Sequence, residues 1–183
     1  HLPGSSFVNP NTPLRDALTK SATEQVLKYT AMGDDFRPIG HMIDEKAIVN
    51  AMVGLMATGG STNHTMHLVA IAKAAGIIIN WDDFDKITKI IPLLTRIYPN
   101  GDADINHFQA AGGMGVLIGE LLKHGLMHED IVSVAPTRGM NSYTQEPKLV
   151  DGNLIWEEGP GKSLDDKVIG TIKKPFSDTG GLH

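Results

Sequence analysis

Ala57-Thr58-Gly59-Gly60-Ser61-Thr62-Asn63-His64 separates two stretches of helical apolar spacing, and its reading decides how the chain folds there. Upstream, Ile43, Ala47, Ile48, Ala51, Met52 and Leu55 recur at intervals of three and four, which predicts a helix from about Asp44 to Met56 with one buried stripe. Downstream, a helix is predicted from about His64 to Ala75, stopped by Gly76. Adjacent glycines let a main chain come close to a ligand. The helix start that follows offers free N–H groups and a partial positive charge. Ser61, Thr62 and Asn63 add side-chain donors. Two readings stand together. Gly59, Gly60, Ser61, Thr62, Asn63 and His64 form a cradle for a phosphate or a carboxylate, or they form a tight helix–helix corner capped by Ser61 or Asn63. The pattern is not a Walker loop.

Outward from the corner the chain is helix-rich up to Ala135 and less regular beyond it. Thr12-Pro13 pairs a capping residue with proline at the first helical position, and Leu14, Ala17, Leu18, Ala22, Val26 and Leu27 continue at helical spacing. Trp81 to Arg96 reads as a helix with Asp82 and Asp83 in its first turn and a kink or end at Pro92. Tyr98-Pro99-Asn100-Gly101 reads as a turn, and further helices are predicted near Ala103 to Gln109 and over Val116 to Lys123. Ile77 to Ile79 is an apolar run compatible with a strand or a packing connector, and Ile131 to Ala135 is a predicted short strand. Asp151-Gly152 between two short apolar runs predicts a hairpin turn.

The bulk numbers narrow the function classes. With 183 residues, 41% hydrophobic and 20% charged, the chain can bury a core and is not a disordered tail. A net charge of -5 and the lack of a basic patch with interleaved aromatics argue against nucleic-acid and membrane-surface partners. The apolar runs are too short to span a bilayer, so no membrane partner is expected. Without cysteine the chain cannot form a disulfide framework or hold a cysteine-ligated metal by itself.

Other candidates have plainer readings. His64 and His67 share a helix face, yet no third metal ligand accompanies them. Gly112-Gly113, preceded by Asn106, His107 and Gln109, fits close helix packing better than a second anion loop. His124 and His128 suit a helix C-terminus. Asp82, Asp83 and Asp85 lack the glycine and distal glutamate of a calcium loop.

Several stretches resemble a known family. They are His1 to Val8, Pro13 to Leu18, Ile43 to Lys46, Ala57 to Leu68, Asn80 to Phe84, Tyr98 to Gly101 and Asn106 to Gly113. Together they are similar to the dihydroxy-acid/6-phosphogluconate dehydratase superfamily, and His64, Trp81 to Phe84 and Asn106 to Gly113 resemble its phosphogluconate branch. The resemblance implies an α/β fold. Residues 1–162 would be the helix-rich later part of an amino-terminal domain with few short strands, and residues 163–183 a connection towards a carboxy-terminal β-barrel-like domain. The expectation is an internal piece of a longer protein.

The resemblance also implies a cytoplasmic, homodimeric hydro-lyase of the Entner–Doudoroff pathway. Its substrate would be a small phosphorylated sugar acid, 6-phospho-D-gluconate, dehydrated to 2-dehydro-3-deoxy-6-phospho-D-gluconate. A 4Fe-4S cluster and a divalent metal would serve the full-length enzyme, with the cluster cysteines upstream of His1. On that reading no catalytic residue and no metal ligand lies among these residues, the fragment alone is inactive, and Gly59 to His64 bind substrate. The alternatives are a dihydroxy-acid or other aldonate dehydratase, or a structural, dimerising segment without chemistry of its own.

Overall fold

The computed structural model describes residues 1–181; Leu182 and His183, the end of the expected connecting segment, lie outside the described residues. The fold is helix-rich α/β, with seven α-helices and one two-stranded antiparallel sheet among the described residues. Its centre is the helix pair on either side of the glycine corner. Helix α3 (Glu45–Thr58) starts at Asp44, whose carboxylate accepts the Ala47 N–H at 2.8 Å. Ile48, Met52, Val53, Leu55, Met56 and Ala57 are buried along it. Helix α4 (Thr62–Ala74) turns Thr65, Leu68 and Ala72 inward. The main core joins these side chains to Phe84, Ile91, Leu94, Leu117, Ile118 and Leu121.

The other helices frame this pair. Helix α1 (Pro13–Lys28) is capped by Thr12, which accepts the Arg15 N–H, and only Leu18 on it is buried. The short α2 (Ile39–Met42) has no side-chain cap. Helix α5 (Trp81–Thr88) begins in a capping box between Asn80 and Asp83. Helix α6 (Ile105–Ala110) follows Asp104, and α7 (Gly113–Lys123) carries Val116, Leu117, Ile118 and Leu121 into the cores.

Two expectations change, and one left open is decided. The helix begun at Trp81 ends at Thr88 instead of reaching Arg96. Pro92 cannot donate to a continuing helix, and Leu93 to Ile97 runs extended, bridging Ser177, Ile169 and Ala103. Ile77 to Ile79 is the packing connector, not a strand. Ile77 and Ile79 pack against the core while Ile78 is 90% exposed, and no strand among the described residues pairs with them. Ile131 to Ala135 forms no strand either. Its carbonyls are taken by side chains: the Arg37 guanidinium donates to Ser133 and Ala135, and the Tyr29 hydroxyl donates to Val134 and Ala135.

The hairpin is present as β1 (Gln145–Val150) and β2 (Asn153–Glu158), in register from Gln145↔Glu158 to Val150↔Asn153. Both turn residues have positive φ, 51° at Asp151 and 77° at Gly152, as a type I′ turn requires. The Trp156 indole donates to the Pro3 carbonyl at 3.1 Å and ties the hairpin to the first loop.

Residues 164–180 lie along the extended segment. Leu93 N–H donates to Ser177 O, Arg96 N–H to Val168 O, Gly170 N–H to Leu94 O and Phe176 N–H to Leu93 O. Val168 and Ile169 complete a second core with Phe108, Ala111 and Val116.

Candidate functional site

The corner is built by a helix stop meeting a helix start. Gly59 closes α3 in the left-handed region (φ 60°, ψ 50°), and the Gly60 N–H reaches back to Leu55 O at 3.1 Å. A Cβ on Gly59 would stand 2.0 Å from Asn100 Nδ2 and 2.9 Å from Leu93 Cδ1, so both conformation and space demand glycine. Ser61 is the N-cap of α4, and its hydroxyl accepts the Asn63 N–H at 3.2 Å. The His64 N–H turns back to Ser61 O at 2.9 Å. Among the described residues, the Ser61 and Thr62 N–H groups have no protein acceptor.

The last carbonyls of α3 are held from outside. Leu94 N–H donates to Ala57 O at 2.8 Å, Thr95 Oγ1 to Thr58 O at 2.9 Å and Asn100 Nδ2 to Gly59 O at 3.2 Å. The extended segment, through Leu94 and Thr95, and the turn after it, through Asn100, therefore satisfy three successive carbonyls that a helix end leaves unpaired.

A cleft of about 290 Å³ opens beside this frame, lined by Thr58, Gly59, Gly60, Ser61, Ile97, Tyr98 and Pro99. No charged side chain lines it. Its polar side chains are the hydroxyl-bearing Thr58, Ser61 and Tyr98, set among glycines, Ile97 and Pro99, and Ser61 is the N-cap of a 13-residue helix. Such a lining suits carboxylate or hydroxyl oxygens.

The six sequence candidates are not all brought together. Gly59, Gly60 and Ser61 line this cleft. Thr62 and Asn63 are exposed at the helix start. His64 lines a different, apolar cavity of about 440 Å³ with Ala51, Leu55, Met114, Ile118, Met140 and Tyr143. Thr58 forms the wall shared by the two cavities. The His64 ring keeps a solvent-exposed side, yet partial burial pushes its pKa below the usual histidine range, and the neighbouring His67 adds to that.

The other candidates have structural partners. His107 belongs to the cap of α6: its own N–H and that of Asn106 donate to the Asp104 carboxylate, and its ring Nδ1 faces the Asp104 N–H. These bonds, the His107 N–H first, hold the Asp104 carboxyl below its ordinary range. Gly112 (φ 113°) starts α7, and a Cβ there would collide with Val116. His124 Nε2 stands 3.4 Å from the Glu120 carboxylate, and the His128 backbone exchanges two bonds with the buried Asn50 side chain. Asp83 and Asp85 pair with Lys86 and Lys89.

Sequence reading missed Thr95 and Asn100. Thr95 lay inside the helix expected from Trp81, and Asn100 counted only as part of a turn. The one signal for them was Pro92, which ends the helix and frees the segment that follows.

Comparison with known proteins places this geometry. Residues 1–141 match the family described as Dihydroxy-acid/6-phosphogluconate dehydratase N-terminal. The chain is 61% identical over 180 residues to the phosphogluconate dehydratase of Escherichia coli K12, covering 98% of this chain and 30% of that protein. It is 57% identical over 183 residues to the phosphogluconate dehydratase of Pseudomonas aeruginosa, covering 100% of this chain and 30% of that protein. Identity to the dihydroxy-acid dehydratase of Metallosphaera sedula is 31% over 182 residues, again with 30% of that protein covered. The chain thus spans less than a third of the length of the relatives it matches. With most of its residues inside one family description, and the likeness running from end to end, the chain belongs to the dihydroxy-acid/6-phosphogluconate dehydratase family.

Proposed function

We propose that the full-length protein is a hydro-lyase that dehydrates 6-phospho-D-gluconate to 2-dehydro-3-deoxy-6-phospho-D-gluconate, and that the Gly59–Ser61 corner grips oxygens of this substrate. The observation that carries the role of the corner is the open cleft at the amino end of α4, lined by Ser61, whose N–H has no protein acceptor among the described residues; the Thr62 N–H beside it is likewise without one. The substrate class is supported by the 45% to 61% identity to relatives named phosphogluconate dehydratase. Thr62 and Asn63 extend the donor set at the helix start, while His64 lines the adjoining cavity that shares Thr58 with the cleft.

The wider family reading adds an iron–sulfur cluster, a divalent metal, a homodimer and a cytoplasmic enzyme. The donors of this chain do not fit such a cluster. It has no cysteine, and among the described residues no three His, Asp or Glu side chains converge. No step through a metal is therefore assigned to these residues; the family reading, not this geometry, puts the proton-transfer groups in other parts of the protein. Residues 163–183 lead, on this reading, towards a carboxy-terminal domain.

The test is steady-state kinetics of Ser61→Ala in the full-length enzyme. The expected result is a raised KM for the phosphorylated sugar acid. Unchanged KM and kcat would remove the corner from substrate binding. Parallel assays with unphosphorylated dihydroxy acids separate this activity from that of a dihydroxy-acid dehydratase.

A further inference from the structure

A second cleft, of about 230 Å³, lies between the end of α7 and the two turns around Gly161 and Thr171. Its lining includes Lys123, Lys162 and Lys173, together with His124, Ser163 and Thr171. Three lysines around one small cavity stand out in a chain of net charge -5. None of the three is within ion-pairing distance of a carboxylate among the described residues.

The one acidic group in the lining is already engaged. Glu120 Oε1 accepts the Ile172 N–H at 2.9 Å and faces His124 Nε2 at 3.4 Å. That bond also sets the turn in which Lys174 N–H donates to Thr171 O at 3.0 Å, and so places Thr171 and Lys173 on the cleft wall. Lys123 sits in the last turn of α7, where the helix carbonyls oppose an anion. Lys162 and Lys173, on the facing wall, carry the attraction.

We infer that this cleft is a phosphate site, taking inorganic phosphate or the phosphate group of a small metabolite between Lys162 and Lys173. The Thr171 hydroxyl stands in the same lining to add a hydrogen bond, while that of Ser163 already donates to Asp165 O at 2.8 Å. The Gly59–Ser61 cleft has no charged side chain in its lining, so the two cavities differ in the anion they suit: oxygens of low charge there, a dianion here. The inference stands on three exposed lysines that share one lining, none paired with a carboxylate among the described residues, and does not depend on the reaction assigned to the protein.

The experiment is amide hydrogen exchange of the full-length protein with and without inorganic phosphate, following peptides over residues 159–173 and 57–66. Phosphate should slow exchange in 159–173. Lys162→Gln/Lys173→Gln should weaken phosphate affinity by about tenfold or more, as expected for two lost charge-assisted contacts. Added salt should weaken binding in the unmodified protein as well. Circular dichroism confirms that the variant is folded. Absence of protection in the unmodified protein overturns the inference, as does equal protection in the double variant or protection confined to 57–66. A raised KM for the phosphorylated substrate in the variant identifies the substrate's own phosphate as the occupant. Loss of protection with KM unchanged identifies a free phosphate compound.

Discussion

Thr95 donates its hydroxyl proton to the Thr58 carbonyl at 2.9 Å, from a position with no exposed surface. The bond joins the extended segment to the end of α3 and so fixes the wall shared by both cavities near the corner. Replacing Thr95 by valine keeps the shape and removes the donor. The half-buried Thr58 carbonyl then loses its donor, at a cost of about 0.5–1.5 kcal/mol. Urea unfolding of the variant should show that loss, and Thr95→Ser should recover most of it.

Gly59→Ala should be worse than an ordinary glycine replacement. The positive φ alone costs about 1–2 kcal/mol for a residue with a Cβ. The new methyl also meets Asn100 Nδ2 and Leu93 Cδ1. Combining it with Asn100→Ala removes the nearer clash but leaves the backbone strain. The double variant should therefore lie between Gly59→Ala and the parent in thermal midpoint, which calorimetry can order.

Arg37 ties three distant carbonyls to one carboxylate. Its guanidinium donates to Ser133 O, Ala135 O and Pro136 O, and Nε donates to Asp35 Oδ1 at 3.0 Å. Arg37→Met should destabilise by about 1–3 kcal/mol for each carbonyl left buried without a donor. Arg37→Lys cannot reproduce the planar fork and should recover little. Unfolding curves of the two variants check this.

The same pair gives a pH dependence of known sign. The Arg37 hydrogen bond, opposed in part by burial, holds the Asp35 carboxyl below the usual carboxylate range. The unfolded chain therefore takes up this proton at a higher pH than the folded one. The contribution of Asp35 is fully present above the ordinary aspartate pKa and is lost as pH falls through the depressed folded value. Stability measured from neutral to acid pH should fall less steeply in Asp35→Asn than in the parent.

For His64 the main cause is burial against the apolar cavity, with His67 second. Proton NMR titration should find His64 below the usual histidine range, and His67→Ala should restore only the smaller part of the shift. Because the folded pKa is lowered, the unfolded state binds the proton first. This residue therefore subtracts from stability as pH falls below the ordinary histidine pKa, and the loss levels off below the folded value.

Local signals were read well from the residues. Thr12, Ser61 and the Asp151-Gly152 turn each act through neighbours two or three positions away, and the structure uses each as a cap or turn. Ile131 to Ala135 looked like a strand because its composition fits one. Its carbonyls go to Arg37 and Tyr29, nearly a hundred residues earlier, and no local pattern announces such partners. The corner itself was legible as a break between helices. Its division into a polar cleft and a separate cavity at His64 depends on how Thr58 and the 94–100 segment pack, which spacing does not encode.

Residues 93–96 are pinned between the end of α3 on one side and residues 168–177 on the other. During synthesis this arrangement cannot close until the later stretch has emerged from the ribosome. Until then Leu94 and Thr95 have lost solvent on only one flank. The nascent polypeptide must wait with its most important groove half-made, so premature truncation in this region harms the groove although no groove-lining residue is removed.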